Sequence, residues 1–335
     1  MIIRSTSHAR AGLIGNPSDG YFGKTISFII RNMEAEVLLW ESPELEILPA
    51  ARDHSVFQSL DHLAEDVRVF GYYGGIRLLK ATAKGFFDYC QREGVRLDRR
   101  NFTLRYQSKI PPQVGMAGSS AIITAALRAM MAFYGVEVPK HTLPNLILSV
   151  ERDELNIPAG LQDRVIQAYE GLVYMDFRRE LMEGRGYGEY EELDPTLLPP
   201  LYVAYNTRLS EGTEVFHNDI RGRFERGEEA VIDAMRKWAS LAEEVRSLLV
   251  AGRGSEIGPL LDANFDLRRQ IYRIGEGNLR MVETARSLGA SAKFTGSGGA
   301  IVGTYNGEEM FQALVTSLEP LGVKVIKPAI SPLGQ

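Results

Sequence analysis

A single cysteine, Cys90, is all the thiol chemistry that this chain of 335 residues carries. One thiol excludes an intrachain disulfide and suits a reducing compartment. Its neighbours Phe86, Phe87 and Tyr89 point to a buried, inert side chain rather than a nucleophile. Histidine is nearly as sparse. His8, His54, His62, His141 and His217 form no HxxH or HExxH pair, so a histidine-built metal centre is not expected. No apolar run approaches the roughly 18 residues that span a bilayer, and Met1-Ile-Ile-Arg-Ser does not open like a secretory leader. Basic excess is missing as well. The formal net charge is −5 and no basic stripe stands out, which argues against a nucleic-acid partner. Cytoplasmic location, with no membrane and no nucleic acid bound, is the expectation. Two familiar phosphate signatures are also lacking: G-x-x-x-x-G-K-[ST] and the His-Arg-Asp catalytic loop.

What is present reads as a globular α+β protein. Hydrophobic residues make up 44% and charged residues 24%, and the length suggests about two domains. Strand patterns cover 2–10, 25–39, 101–107 and 171–177, with the turn Gly15-Asn-Pro-Ser-Asp-Gly20 after the first. Helical periodicity covers about 72–92, where Ile76, Leu79, Ala83 and Phe86 share a face, then 119–134 and 141–155. From 178 to 200 the chain is charged and ends in Pro195, Pro199 and Pro200, which reads as an excursion between halves. A strand at 201–205, helices near 211–226, 228–251, 255–274 and 277–288, and a strand at 292–294 follow. The chain ends with a strand at 300–304, a helix at 307–319 and a strand at 323–327. The boundary is placed near 190, giving domains 1–190 and 191–335.

Four segments carry chemistry. The stretch Ile110-Pro-Pro-Gln-Val-Gly-Met-Ala-Gly-Ser-Ser-Ala121 holds a turn open and then starts an alanine-rich helix. Gly115 and Gly118 allow a close backbone approach, and a helix N-terminus offers free N–H groups to a polyphosphate. Ser119 and Ser120 can cap that helix or place an oxygen on Mg²⁺. The turn Ala9–Tyr21 mounts Arg10 and Asp19 on a rigid frame, or simply leaves two charges in solvent. In Glu151–Arg164 a carboxylate ends one helix, a Pro-Gly connector follows, and Asp163 starts the next helix. Such a turn can bring Glu151 and Asp163 towards one site, though helix-end roles would account for each of them separately. Finally, Lys293-Phe-Thr-Gly-Ser-Gly-Gly299 places glycines between two strands. A dinucleotide fingerprint needs a helix there, so a wall or lid against ligand phosphates fits better than a Rossmann turn.

Together and in this order, these segments resemble the GHMP small-molecule kinases. Pro111 or Pro112 opens that family's phosphate-loop pattern, and Gly115-Met-Ala-Gly-Ser-Ser-Ala121 completes it. The resemblance implies an N-terminal domain with a left-handed βαβ unit, a ferredoxin-like C-terminal domain, and ATP with Mg²⁺ in a cleft between them. It implies that Pro112, Gly115, Met116, Ala117, Gly118, Ser119, Ser120 and Ala121, with Gly296, Ser297 and Gly298, cradle the nucleotide. Ser120 and Glu151 match metal ligands, with Ser120 preferred over Ser119, and Asp163 matches the catalytic base. Arg10 matches the basic residue of the first motif and Asp19 the aspartate that grips sugar hydroxyls. Departures are present: His8-Ala9 stands where a proline-glycine pair is usual, and Asn16-Pro-Ser replaces the galactokinase Glu-His-Thr. The strings Gly15-Asn-Pro-Ser-Asp19, Phe22-Gly-Lys-Thr-Ile-Ser27, Ala159-Gly-Leu-Gln-Asp-Arg164 and Asn264-Phe-Asp-Leu-Arg-Arg269 resemble the glucuronokinase branch. That branch implies a sugar-acid substrate and a cation for its carboxylate, among Lys24, Arg164, Arg208, Arg268 and Arg269. A kinase for a neutral sugar or a mevalonate-like acid, or a silent sugar sensor on the same fold, are the alternatives. The implied partners are sugar acid and nucleotide, in a monomer or homodimer.

Overall fold

The computed structural model describes residues 2–50, 53, 59, 74–206 and 220–331. Arg208 and most of the helix read at 211–226 lie outside them. Two compact units emerge, and they interleave along the chain instead of dividing at 190/191. The first comprises Met1–Ala9, Met33–Ile110 and Ala117–Ala168, and the second Arg10–Asn32, Pro111–Met116 and Tyr169–Gln335. Interleaving follows from two long strands, β1 (Ile2–Ile14) and β2 (Lys24–Ser42), each of which contributes to both.

In the first unit, the later part of β2 pairs antiparallel with β4 (Asn101–Ser108), from Ala35 opposite Ser108 to Ser42 opposite Asn101. The short β3 (Glu46–Leu48) runs parallel to β4. Parallel neighbours need a crossover, and α1 (Gly75–Arg92) lies between them in sequence. The helix α2 (Gly118–Tyr134) is apolar on nearly every face, buried without a break from Ser120 to Leu127 and again at Ala129, Met130 and Phe133. A helix of that kind belongs inside a core. Further on, α3 (Leu143–Ser149) widens into a π turn at Val150–Glu154, and α4 (Gln162–Tyr169) follows the connector. The expected single helix 141–155 is therefore two kinds of turn in series, with the π turn carrying Glu151.

In the second unit, Lys24–Phe28 of β2 pairs antiparallel with β5 (Leu172–Asp176). The excursion expected at 178–200 is structured: α5 (Arg179–Arg185) leads to β6 (Glu189–Leu193), which pairs antiparallel with β5. Tyr190 and Leu193 stand three residues apart among glutamates, so this edge strand lacks the apolar alternation that marks a half-buried strand. A second sheet has the order β10-β7-β9-β8, antiparallel throughout, from β7 (Leu201–Tyr205), β8 (Lys293–Phe294), β9 (Ala300–Thr304) and β10 (Lys324–Ile326). Its helices are α6 (Glu229–Val250), α7 (Gly258–Ile271), α8 (Glu276–Ser287) and α9 (Gly307–Leu318). Strand order and helix placement are those of a split βαβ, ferredoxin-like sheet. Tyr202, Phe265, Met281, Ile301, Leu314 and Leu318 fill one core there; Trp238, Met235, Tyr21 and Tyr272 fill another.

Candidate active site

The Pro-Gly connector after the π turn does bring Glu151 and Asp163 to one place in the first unit. Arg164 is the reason. Its Nε and Nη2 both donate to Glu151 Oε2, the former at 2.6 Å, while Nη1 lies 3.3 Å from Asp163 Oδ2. Glu151 is fully buried and Arg164 nearly so, at 0% and 6% side-chain exposure, so the pair is a desolvated one. The other Glu151 oxygen, Oε1, accepts the Ser119 hydroxyl at 2.8 Å. The family resemblance points to Ser120 as the metal ligand, whereas its hydroxyl donates to the Ala117 carbonyl at 3.2 Å. The helix position explains this: Ser120 faces the core, whereas Ser119 lies one residue, about 100°, around the helix.

Ala117 takes a left-handed conformation, φ 60°, and no side chain caps the first turn of α2. Its N–H groups are thus left to whatever anion approaches. Gln167 of α4, not singled out in the sequence, fixes this turn by donating to the carbonyls of Ala117 and His8 at 2.9 and 3.1 Å.

Within the second unit, Arg10 is 5% exposed and its Nη1 donates to the Gly115 and Thr295 carbonyls. The Thr295 hydroxyl donates to the same Gly115 oxygen at 3.1 Å. Arg10 thus fastens the phosphate loop to the glycine loop. No room is left for side chains: a Cβ on Gly296 would lie 2.5 Å from Gly115 O, and one on Gly115 would lie 2.8 Å from Gly298 O. Gly115 also has φ +65°, a conformation that glycine adopts without strain. The four small residues are the tip of a β8–β9 hairpin whose strands pair Lys293 with Val302 and Phe294 with Ile301.

Asp19 sits in the short 3₁₀ turn Ser18–Tyr21, in electrostatic range of Tyr21 and Tyr272. Burial pushes the Tyr21 hydroxyl up to about 12, with Arg221 pulling the other way. Asn264 pins the preceding turn, accepting the Gly15 N–H at 2.8 Å and donating to the Asn16 carbonyl at 3.3 Å. Lys293 is fully buried and donates to Gly12 O, Asn16 Oδ1 and Phe294 O at 2.6–2.7 Å. Desolvation, with Arg268 and Arg10 nearby, presses its pKa well below the usual lysine value. Of the cations considered for a sugar carboxylate, Lys24 is bound to Glu243 and lies 3.5 Å from Asp176. Arg164 is committed to Glu151, and Arg269 is exposed beside Glu283. Arg268 instead holds the glycine loop. Nothing in the spacing of Asn264-Phe-Asp-Leu-Arg-Arg269 announced that contact, although a buried-face arginine at the end of α7 was a signal for it.

The loop with its uncapped helix, a serine on a buried glutamate, and a neighbouring aspartate are groups that phosphoryl transfer can use. Residues 77–171 match the family described as GHMP kinases N terminal domain. Glucuronokinase 1 of Arabidopsis thaliana is 46% identical over 306 residues, 90% of this chain and 84% of that protein. The chain belongs to the GHMP kinases. Probable glucuronokinase 2 of the same plant is 47% identical over 308 residues, again 90% of this GHMP kinase and 84% of the relative. At the level of fold, the structure resembles Lactococcus lactis galactokinase complexed with galactose, with a TM-score of 0.75 and 18% identity. That match covers 98% of this kinase and 93% of the galactokinase. Among the described residues no helix is long and apolar enough to cross a membrane.

Proposed function

We propose that this GHMP kinase transfers a phosphoryl group from ATP to the anomeric hydroxyl of D-glucuronic acid, giving glucuronic acid 1-phosphate. Identity of 46–47% to two glucuronokinases across 90% of the chain is the observation that carries the reading. The side chains support it. Asp163, exposed by 19% beside Arg164, is the base that accepts the acceptor hydroxyl's proton. Asp19 orients sugar hydroxyls from its turn.

Glu151 and Ser119 offer hard oxygen donors 2.8 Å apart, which suits Mg²⁺. Among the described residues no group of three His, Cys, Asp or Glu could hold a metal ion. Mg²⁺ ordinarily takes one or two carboxylates and completes its shell with substrate phosphates and water. Glu151 would hold it through Oε1, with Ser119 beside it, and its charge would neutralise phosphate oxygens. Arg10 acts through the loops that it joins, keeping Gly115 and Gly296 in register for the nucleotide. Cys90, a buried free thiol and the one cysteine of the sequence, suits a reducing compartment such as the cytoplasm.

A coupled ADP-release assay over glucuronate, galacturonate, glucose, galactose and mevalonate tests the reading. Glucuronate should give the highest kcat/KM. Sugar binding without ADP release from any acceptor would favour the silent sensor and refute the kinase assignment.

A further inference from the structure

Residues 220–225 are helical and belong to the second unit, and their side chains divide by position. Ile220 is buried, and Phe224, one turn on, packs against Tyr21 with ring centroids 4.9 Å apart. Arg221 and Glu225 stand one residue further, about 100° around the helix from that apolar face. They pair loosely: Nη1 lies 3.9 Å from Glu225 Oε1, and the Arg221 side chain is 54% exposed. An exposed pair at that range holds its partners weakly. Arg223 differs, since it is bound to both Glu228 oxygens and to the Ile271 carbonyl.

The Asp19 turn is what places the Arg221 guanidinium. Its Cζ lies 5.7 Å from the Tyr21 ring centroid, within cation–π range. A Cβ built on Gly20 would lie 3.8 Å from Nη2, so the group rests against the residue between Asp19 and Tyr21. Tyr21 is 8% exposed and set in a core with Met235 and Trp238, which makes its ring a firm platform. Its hydroxyl feels Arg221 and Asp19 with opposite sign, so a cation and a carboxylate both lie in range of one phenol oxygen. Among the described residues the Arg221 guanidinium makes no hydrogen bond. Arg269 is similarly exposed, with an acid at 3.8 Å, but that acid is Glu283 of α8 and not part of this turn.

We propose that Arg221 is a specificity-determining residue, whose guanidinium receives the carboxylate of the sugar acid beside the turn from which Asp19 takes ring hydroxyls. The inference rests on the glucuronate reading above and deepens it, and the residue lies outside the five cations that the sequence offered. A planar fork without hydrogen bonds of its own matches a carboxylate bidentately, and its exposure leaves it open to a ligand arriving from solvent. Tyr21 holds the fork in place beforehand, so less rotamer freedom is lost on binding.

The test is Arg221→Met, assayed by ADP release with D-glucuronate and with its neutral isostere D-glucuronamide, and with Arg269→Met as control. Loss of a charged contact at a half-exposed position should raise KM for glucuronate about tenfold. The turnover number kcat should stay within about twofold, because the carboxylate sits across the sugar ring from the reacting hydroxyl and binds alike in ground and transition states. Wild-type kcat/KM should favour the acid over the amide about tenfold, and Arg221→Met should bring the two within about twofold. Arg221→Lys should fall between, since the charge survives without the fork. Arg269→Met should keep the wild-type ratio. Lost packing on Tyr21 would weaken acid and amide equally, so the ratio reports the carboxylate contact and not a structural role. Should Arg221→Met fail to fold, Arg221→Lys must still narrow the acid-to-amide ratio. A folded Arg221→Met enzyme with the wild-type ratio overturns the proposal and leaves the substrate reading standing. A wild-type enzyme that releases no ADP from glucuronate refutes the substrate reading, and the proposal with it.

Discussion

Removing the guanidinium that joins Glu151 to Asp163, by Arg164→Met, leaves a carboxylate with 0% exposure and, among the described residues, no other cation in an ion pair with it. Breaking a buried pair on one side costs about 3–5 kcal/mol, because the remaining charge stays desolvated. The Ser119 hydroxyl continues to donate to Oε1, and a hydrogen bond to a charged group retains about 1.5–3 kcal/mol. The low end of the range is therefore expected, about 3 kcal/mol, or roughly a hundredfold in the unfolding equilibrium. Glu151→Gln relieves the stranded charge, so the double variant should be more stable than Arg164→Met alone. The cycle should show a coupling of about 2 kcal/mol, within the range for residues in direct contact. Urea titrations followed by circular dichroism measure all four corners, provided the slopes agree. A loss below about 1 kcal/mol in Arg164→Met, or a coupling near zero, would refute the view that Arg164 exists to neutralise Glu151.

Asp163→Asn should lower turnover by at least about 10²-fold while nucleotide affinity is retained; a fully active variant would remove Asp163 from the base role. Lys293→Met strands three acceptors and should lower the melting temperature despite removing a buried charge. The same residue sets a pH signature. Its folded pKa is depressed, so between that value and the unfolded value near 10.4 the unfolded chain binds the extra proton, and stability rises with pH there. That rise should flatten in Lys293→Met, and an unchanged stability–pH slope would refute it. Asn264→Ala removes two hydrogen bonds to the Gly15–Asn16 turn and should cost about 2 kcal/mol in the second unit, with KM for the sugar rising as Asp19 loses its mount. Unchanged KM would separate that turn from substrate binding.

The phosphate loop was legible in the linear sequence because its properties are local. Glycine at 115, a left-handed turn, then an apolar helix is a pattern that backbone sterics impose on consecutive residues. For the same reason the helices 118–134, 229–250 and 307–318 fall within a residue or two of their periodicity. The charged stretch 178–200 misled because its strand is an edge, where half-buried alternation is weak and pairing with β5 supplies the order.

The candidate residues, Ser119, Ser120, Glu151, Asp163, Arg10 and the glycines of 296–299, can be named from the chain itself. Their partners were not. Which serine meets Glu151 depends on the rotation of α2 about its own axis, and spacing along the sequence left Ser120 and Ser119 both eligible. Arg164 and Arg268 carry the same charge, and composition made both candidates for a substrate carboxylate. Packing gave one to a buried glutamate and the other to two carbonyls. A side chain removed from water must find its hydrogen bonds among whatever groups the fold brings near, and those groups lie tens to hundreds of residues away along the chain.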